Sequence, residues 1–413
     1  MEARHRILLL SLLYIRNRRK IKDVKNKRKY WVHPILELKQ QQGDWHNLVS
    51  EMILQDDETY FNYMRMTPSM FEYLLSKVGP IITKMETNWR KPIPAAARLS
   101  MTIRYLASGD GLHSISLSYR IGRSTTTFII KETCEAIWNC LNTEELFTPT
   151  SNGWQEIAYE FENRWNFPNC IGALDGKHVS IICPEKAGST FYNYKGFHSI
   201  VLLALVSATY KFLIVDIGVQ GRHSYGGIFK NSIMGQLFYN NNMHLPAPSA
   251  ISTRHNVPYV IVADEAFQLN SFTMRPYPSK NLTKQQRIFN YRLSRARRVV
   301  ENAFGILVSR WRIYQRPLNT SLQTSDAIIK ATVCLHNLLM NTSYYCGKNY
   351  ADNLSADGRI IEGEWRQRHI NIDNCSNRSF GSNNYTREAG EVRNIFTDYF
   401  INEGKVSWQE DII

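Results

Sequence analysis

The chain has 413 residues, enough for two or three domains, and its apolar fraction of 43% excludes a chain too polar to form a buried core. Its 50 Lys and Arg residues outnumber its 36 Asp and Glu residues, giving a net charge of +14. This balance favours an anionic partner, with nucleic acid ahead of an acidic membrane surface. No apolar run approaches the ~20 residues that a membrane-spanning helix needs, so we expect a soluble protein with no membrane partner.

The positive charge is concentrated at the start of the chain. Residues 1–30 contain eleven Lys and Arg against two acids. The apolar run 7–13 is followed by basic residues instead of a small-residue cleavage site, so it does not predict a signal peptide. The clusters 16–20 and 25–29 are typical of a nuclear-import or phosphate-contacting arm, although a solvated arm with neither role is the alternative. We expect residues 1–44 to form a disordered basic arm, and the protein to be nuclear with a secondary cytoplasmic pool.

The seven cysteines are scattered and contain no Cys-x-x-Cys pair. This pattern predicts neither a disulfide framework nor a zinc site. It indicates a reducing compartment.

Residues 45–150 have the apolar spacing of helices. One helix is predicted over 71–78, ending at Gly79-Pro80, and a second over 95–107. A short helix over 113–121, a turn at Gly122 and a long helix capped by Ser124 then predict a helix-turn-helix.

The start of that long helix offers polar side chains to DNA. A helix-turn-helix places such side chains against base edges or phosphates. The candidate DNA contacts are Arg120, Arg123, Ser124, Thr125, Thr126 and Lys131. The alternative is a pair of packed helices with no DNA role.

The pattern of residues 151–345 predicts an α/β domain. Apolar β-branched runs indicate strands over 170–175, 179–182, 199–208, 212–219 and 257–264, the third and fourth joined as a hairpin. Because the runs are almost wholly apolar, we expect a mixed sheet covered by helices on both faces. Helices are predicted over 283–313 and 326–340. Residues 346–413 read as a loose polar extension with one helix over 387–400.

Two aspartates follow apolar strand segments. Asp175 and Asp264 each lie at or near the end of a predicted strand, where an unpaired charge costs several kcal/mol. A divalent cation would compensate both, and hard oxygen ligands without a His/Cys cluster favour Mg²⁺ or Mn²⁺.

Glu301 is the third candidate ligand. It borders the apolar face of the long helix, where it could complete a site for two metal ions that promotes phosphoryl transfer. Alternatively, Glu301 only pairs with Arg297 or Arg298, one turn earlier. Those arginines could instead bind the phosphates of a DNA strand.

The residues also resemble a known family. Segments 170–178, 191–199, 263–267 with 274–278, 289–301 and 334–337 are similar, in order, to the motifs of the Harbinger (PIF/Harbinger) transposases and the nucleases derived from them, within the DDE superfamily. The resemblance implies an RNase H-like mixed sheet preceded by a helical helix-turn-helix domain. It implies Asp175, Asp264 and Glu301 as catalytic residues and ligands of Mg²⁺ or Mn²⁺. It also implies duplex DNA as substrate and a Myb/SANT-like protein partner. A second copy of the chain is a further candidate partner, although the sequence does not give the oligomeric state.

Four further basic residues lie in these motifs. They are candidate DNA contacts: Lys177, Lys195, Arg297 and Arg298.

One motif departs from the family. Segment 221–229 resembles a block that usually reads Ser-Asp-Gly-Gly, so Tyr225 stands where a metal-binding aspartate is expected. A phenol, with a pKa near ~10, is a poor magnesium ligand at neutral pH. Asp216 is a disfavoured substitute.

Three hypotheses follow from this departure. The protein is a metal-dependent endonuclease or transposase-derived enzyme that works with three carboxylates. Alternatively, it is a domesticated, catalytically impaired DNA-binding protein, or a scaffold acting through a partner.

Overall fold

A computed structural model describes residues 32–88, 91–146, 148–253, 255–278, 281–355, 357–367 and 385–410, together with Tyr30 and positions 13, 14 and 16. Most of the basic arm lies outside these residues, so its predicted roles stay predictions. Within the described ranges, no helix is long and apolar enough to cross a membrane.

The described chain up to residue 146 is helical. Its longer helices begin and end at recognisable signals: Thr67 accepts the N–H of Met70 ahead of Pro68, and Gly109, at φ 69°, ends the next helix. The helices are α1 (Pro34–Glu37), α2 (Lys39–Gln42), a π-helical turn (Trp45–Val49), α3 (Ser50–Gln55), α4 (Asp57–Met64), α5 (Pro68–Ile82), α6 (Ala95–Ser108), α7 (Leu112–Ser118) and α8 (Arg123–Glu145).

The expectation of a disordered arm through residue 44 is wrong for its last part. Residues 34–42 form α1 and α2, and Arg120 fixes both helices. Its guanidinium donates hydrogen bonds to the carbonyl oxygens of Ile35 at 2.8 Å and Gln42 at 3.3 Å. Arg120 therefore binds backbone of its own chain.

Two predicted helix boundaries are also wrong. Helix α5 continues through Pro80 to Ile82, because Ile82 is fully buried and its packing holds the last turn in place. Helix α8 begins at Arg123 with Gly122 at the cap position, so Ser124 lies inside the helix and does not cap it. Helices α7 and α8 contact each other across a short turn. A helix-turn-helix that binds DNA remains a prediction.

The described part of residues 151–345 contains one five-stranded mixed sheet. In chain order the elements are α9 (Ser151–Trp165), β1 (Cys170–Ser180), β2 (Ser199–Val206), β3 (Phe212–Gln220), α10 (Tyr225–Asn231), α11 (Ile233–Tyr239), β4 (Ser249–Ala250), β5 (Asn256–Val257), β6 (Val260–Ala263) and β7 (Thr273–Met274). The strand order is β3-β2-β1-β6-β7. Strands β1 to β3 are antiparallel, whereas β6 runs parallel to β1 and β7 parallel to β6. This mixed α/β sheet is consistent with the expected RNase H-like fold.

Two strand predictions need correction. Segments 170–175 and 179–182 are not separate: β1 pairs with β2 continuously from Ala173 to Ser180, which places Asp175 in mid-strand. The segment 257–264 is interrupted after Val257, where Pro258 has no N–H to give to a ladder. The predicted hairpin, now β2 and β3, is confirmed.

Helices cover both faces of the sheet, as predicted. The remaining elements are α12 (Lys284–Arg310), a 3₁₀ turn (Arg312–Gln315), α13 (Leu322–Met340), β8 (Asn353–Leu354), β9 (Ile360–Ile361), α14 (Glu364–Gln367) and α15 (Arg387–Ile401). Successive side chains of β2 point alternately to the two faces of the sheet, and both faces are buried. Leu202 and Ala204 pack in the core that contains α12, whereas Leu203 and Leu205 pack in the core that contains α10 and α11.

The C-terminal extension is not loose where it is described. The Trp365 side chain lies against α12, where a Cβ added to Gly305 would come within 2.5 Å of its ring. In the predicted helix, now α15, the Phe400 ring lies 5.1 Å from that of Phe167. The polar composition concealed these contacts, since a few apolar side chains are enough to anchor the segment. Residues 368–384 lie outside the described chain.

Candidate functional site

The register of two parallel strands brings Asp175 and Asp264 together. Leu174 of β1 pairs with Ala263 of β6, so the next residue on each strand is an aspartate. Because successive side chains alternate between faces, both aspartates point to the face that α12 covers. An Oδ1 of Asp175 accepts the N–H of Gly176 at 2.7 Å, and Oδ1 of Asp264 accepts the N–H of Ala266 at 2.9 Å.

The negative charge of the two aspartates is only partly compensated by nearby positive charge. Burial raises the pKa of Asp175, and the charge of Asp264 raises it further, to about 7. Burial also raises the pKa of Asp264. The Arg297 guanidinium opposes the rise in both pKa values but does not cancel it. The pair therefore favours an additional cation.

Glu301 reaches this site from α12. Its Oε1 lies 2.5 Å from Nη2 of Arg297, one turn earlier on the helix. Its charge contributes to the raised pKa of Asp175. Both hypotheses for Glu301 therefore have structural support: it forms an ion pair with Arg297, and it lies near the two aspartates.

The donor chemistry fits magnesium or manganese, which prefer carboxylate oxygens. Asp175 and Asp264 would hold the ion, with Glu301 as third ligand after release from Arg297. Among the described residues, however, no three His, Cys, Asp or Glu side chains are already arranged around a metal position. The site has the right donors, one of which faces an arginine.

Tyr225 borders the aspartates from the other face of the sheet. Its ring lies on Gly176, where a Cβ would come within 2.6 Å of it, and 5.2 Å from the ring of His178. Burial, followed by the charge of Asp175, raises the pKa of the Tyr225 phenol, which therefore stays neutral. Asp216 lies on β3, and β2 separates it from Asp175.

The predicted DNA contacts divide into exposed and internal side chains. Arg123, Ser124 and Thr125 are exposed, and Lys177 and Lys195 are partly exposed. Thr126 is fully buried, so its assignment as a contact is wrong: it lies on the side of α8 that packs against the core.

Besides Arg120, internal partners are also seen for Lys131, Arg298 and Arg297. Lys131 Nζ donates to Oε1 of Gln323 at 3.2 Å. Arg298 Nη1 lies 3.3 Å from Oδ2 of Asp352, and Arg297 binds Glu301. As the structure has them, Arg297 and Arg298 bind carboxylates of their own chain.

Sequence reasoning missed two features of the site. Gly176 provides the flat surface for Tyr225, and the motif Asp175-Gly176-Lys177 carried that signal, since a glycine often marks a close approach. Asp352, the partner of Arg298, lies 54 residues along the chain in a segment expected to be loose. No local pattern indicated that pair.

Known proteins are similar to this chain over most of its length. Residues 174–337 match the model of the DDE superfamily endonuclease family, a range that includes Asp175, Asp264 and Glu301. The Arabidopsis thaliana protein named ALP1-like is 26% identical over 316 residues, which cover 72% of this chain and 75% of that protein. Antagonist of like heterochromatin protein 1, also from Arabidopsis thaliana, is 23% identical over 315 residues, covering 75% and 78%.

A vertebrate relative carries the name of an enzyme. HARBI1 of Homo sapiens, named as a candidate nuclease, is 21% identical over 300 residues, which cover 72% of this chain and 82% of that protein. No solved structure matches the chain. The resemblance drawn from the motifs is therefore confirmed: residues 174–337 match a DDE superfamily endonuclease domain, and most of the chain is similar to the ALP1-like and HARBI1 proteins.

Proposed function

We propose that the protein is a metal-dependent endonuclease, derived from a transposase, that cleaves phosphodiester bonds of duplex DNA. The observation that carries the proposal is the partly buried pair Asp175 and Asp264, placed side by side with excess negative charge inside the region that matches a DDE endonuclease domain. Carboxylates with raised pKa values in such a position are typical of functional sites.

Each carboxylate has a role in this proposal. Asp175 and Asp264 would hold a Mg²⁺ or Mn²⁺ ion from the sheet, and Glu301 would complete its ligands from α12. Such an ion, when bound, would supply activation of a water molecule and stabilisation of the charge of a phosphoryl displacement. The short strand β6 fixes Asp264, and the neutral Tyr225 ring closes the opposite side of the site.

Three arginines of α12 point into the protein and are not offered to DNA. Arg292, Arg295 and Arg310 are buried and donate to carbonyl oxygens of their own chain. We assign phosphate contacts to Lys177 and Lys195 near the carboxylates and to Arg123, Ser124 and Thr125 on α8. The basic arm adds non-specific attraction to DNA.

Cleavage of supercoiled plasmid DNA in Mg²⁺ or Mn²⁺ tests the proposal. Asp175→Asn, Asp264→Asn and Glu301→Gln should each lower the cleavage rate about a thousandfold or more, because the three groups act as one unit. Asp216→Asn is the matched control, since Asp216 lies on the same sheet but away from the pair, and its rate should be unchanged. Full cleavage by any of the first three variants would contradict the assignment.

A second candidate function is a DNA-binding protein that has lost cleavage. Tyr225 favours it, because a partly buried, neutral phenol occupies the position where relatives of the Harbinger type are expected to have an aspartate. Tyr225→Asp, compared with Tyr225→Asn, separates the two functions. If a ligand has been lost, only the aspartate should bind Mn²⁺ more tightly and create or raise cleavage. Equal Mn²⁺ affinities in wild type and Tyr225→Asp would remove Tyr225 from the mechanism.

Partners and location are part of the proposal. A nuclear protein that acts as a homo-oligomer, or with a Myb/SANT-like DNA-binding protein, follows from the resemblance and from the basic clusters at 16–20 and 25–29. Imaging of a variant lacking residues 1–30 tests the import role, which predicts a shift to the cytoplasm.

A further inference from the structure

Arg297 is the basic side chain that faces all three carboxylates. It contacts Glu301 directly, at 2.5 Å, and the charges of Asp175, Glu301 and Asp264 act on it together. Its side chain is 23% exposed, so water screens these interactions only in part. Its Nε is buried and has no hydrogen-bond partner among the residues that the structure describes.

The charge balance around this guanidinium is incomplete. One guanidinium faces three carboxylates, and its planar fork serves only one of them with a short contact. A divalent cation carries twice the charge and binds several oxygens at once. A guanidinium and a metal ion would therefore compete for the same carboxylates, and both cannot hold Glu301 in the same way.

We propose that Arg297 is the resident counter-cation of the metal-free site, and that a divalent metal binds by displacing Arg297 from Glu301. This inference rests on the proposed function, because it presumes that the three carboxylates bind metal. Arg297 is then a positioning residue: in the metal-free protein it keeps Glu301 paired and the two aspartates partly compensated. The cost of breaking its ion pair weakens the affinity for metal.

Calorimetric titration of the full chain with Mn²⁺ tests the competition. Arg297→Met keeps a long unbranched side chain without charge, and we expect it to bind Mn²⁺ about tenfold more tightly than wild type. Arg297→Lys keeps the charge and should stay close to wild type. Arg298→Met is the matched control: it removes the same charge one residue along, from a side chain that serves Asp352, and should leave Mn²⁺ affinity unchanged.

Thermal melting gives a second readout that does not depend on activity. Without metal, Arg297→Met should melt at a lower temperature than wild type, because three carboxylates lose their counter-charge. Saturating Mn²⁺ should raise its melting temperature more than that of wild type. If Arg297→Met folds poorly, Arg297→Gln, which keeps a hydrogen-bond donor towards Glu301, must show the same two shifts.

The outcomes separate this inference from the proposed function. If wild type binds Mn²⁺, Asp175→Asn does not, and Arg297→Met binds no more tightly than wild type, the competition is refuted and the metal site stands. Weaker binding by Arg297→Met would show that Arg297 supports the metal site, which also refutes it. If neither wild type nor Arg297→Met binds Mn²⁺, both the inference and the proposed function fail.

Discussion

Arg297 and Arg298 are neighbours on α12, but they contact carboxylates in two different electrostatic environments. Arg298 and Arg366 both bind Asp352, which is 1% exposed and also accepts the N–H of Gly363 at 2.9 Å. Burial works against its charge, but these hydrogen bonds hold the pKa of Asp352 below its usual value. Arg297 instead faces three carboxylates, and the pKa of Asp175 is raised.

The difference shows how a structural acid can be told from one that awaits a ligand. At Asp352 two guanidiniums compensate one carboxylate, so the cluster is complete without any further group. Around Asp175 and Asp264 the protein leaves negative charge uncompensated, which costs stability and is retained where a cation is to be bound. The balance of charge, rather than burial alone, separates the two sites.

The largest effect that this comparison predicts is on stability. Asp352→Asn should lower the free energy of unfolding by about 3 kcal/mol, because it leaves two arginines without their buried partner. Asp175→Asn in metal-free buffer should leave that free energy unchanged or raise it, since it removes one of several repelling charges. Urea denaturation in the presence of a chelator measures both. Similar losses in the two variants would break the comparison.

The pH dependence of stability should have opposite signs at the two sites. Because the pKa of Asp175 is raised, the folded state binds more protons than the unfolded state between about pH 4 and pH 7, so its contribution is lost as pH rises. The lowered pKa of Asp352 stabilises the fold above about pH 4, and this contribution is lost as pH falls.

Paired urea series across this pH range isolate the first contribution. The stability of wild type relative to Asp175→Asn, without metal, should fall by at least about 1 kcal/mol between pH 4 and pH 7. A difference that rises with pH would show that Asp175 is already fully paired in the folded protein.

A smaller effect, on DNA binding, is expected from a second pair of arginines, one exposed and one bound within the chain. Arg123 on α8 is exposed, whereas Arg120 binds the carbonyl oxygens of Ile35 and Gln42. Arg123→Gln should weaken duplex binding a few-fold and lower the salt slope by about 1. Arg120→Gln should instead lower the melting temperature with little change in that slope. Fluorescence anisotropy at several salt concentrations measures the affinity for duplex DNA and its salt slope. A lower slope for Arg120→Gln with an unchanged slope for Arg123→Gln would contradict these contacts.

The sheet and the carboxylates could be predicted from the sequence for physical reasons. Strands covered on both faces must be nearly continuous apolar runs, so an aspartate at such a run stands out, as Asp175 and Asp264 do. The helix that carries Glu301 is marked by its capping box at Thr283 and Gln286. These signals are short sequence patterns, so they can be recognised without knowing the rest of the fold.

The buried arginines could not be predicted in the same way. An arginine in a helical sequence gives no sign of being buried, yet α12 is packed on several sides, and Arg292, Arg295 and Arg310 reach carbonyl oxygens elsewhere in the chain. Arg292, for example, donates to Gly404, which is 112 residues away. The prediction that Thr126 contacts DNA was wrong for a related reason: a polar residue near the start of a helix does not show which side of the helix packs against the core.

The central claim is that Asp175, Asp264 and Glu301 bind a divalent metal, and thermal melting with Mn²⁺ tests it most directly. Wild type and Asp352→Asn should both gain on the order of 5 °C in melting temperature at saturating Mn²⁺, because the ion binds only the folded site. Asp175→Asn should gain nothing. An equal Mn²⁺-dependent rise in Asp175→Asn and wild type would show that the metal binds elsewhere and would contradict the account.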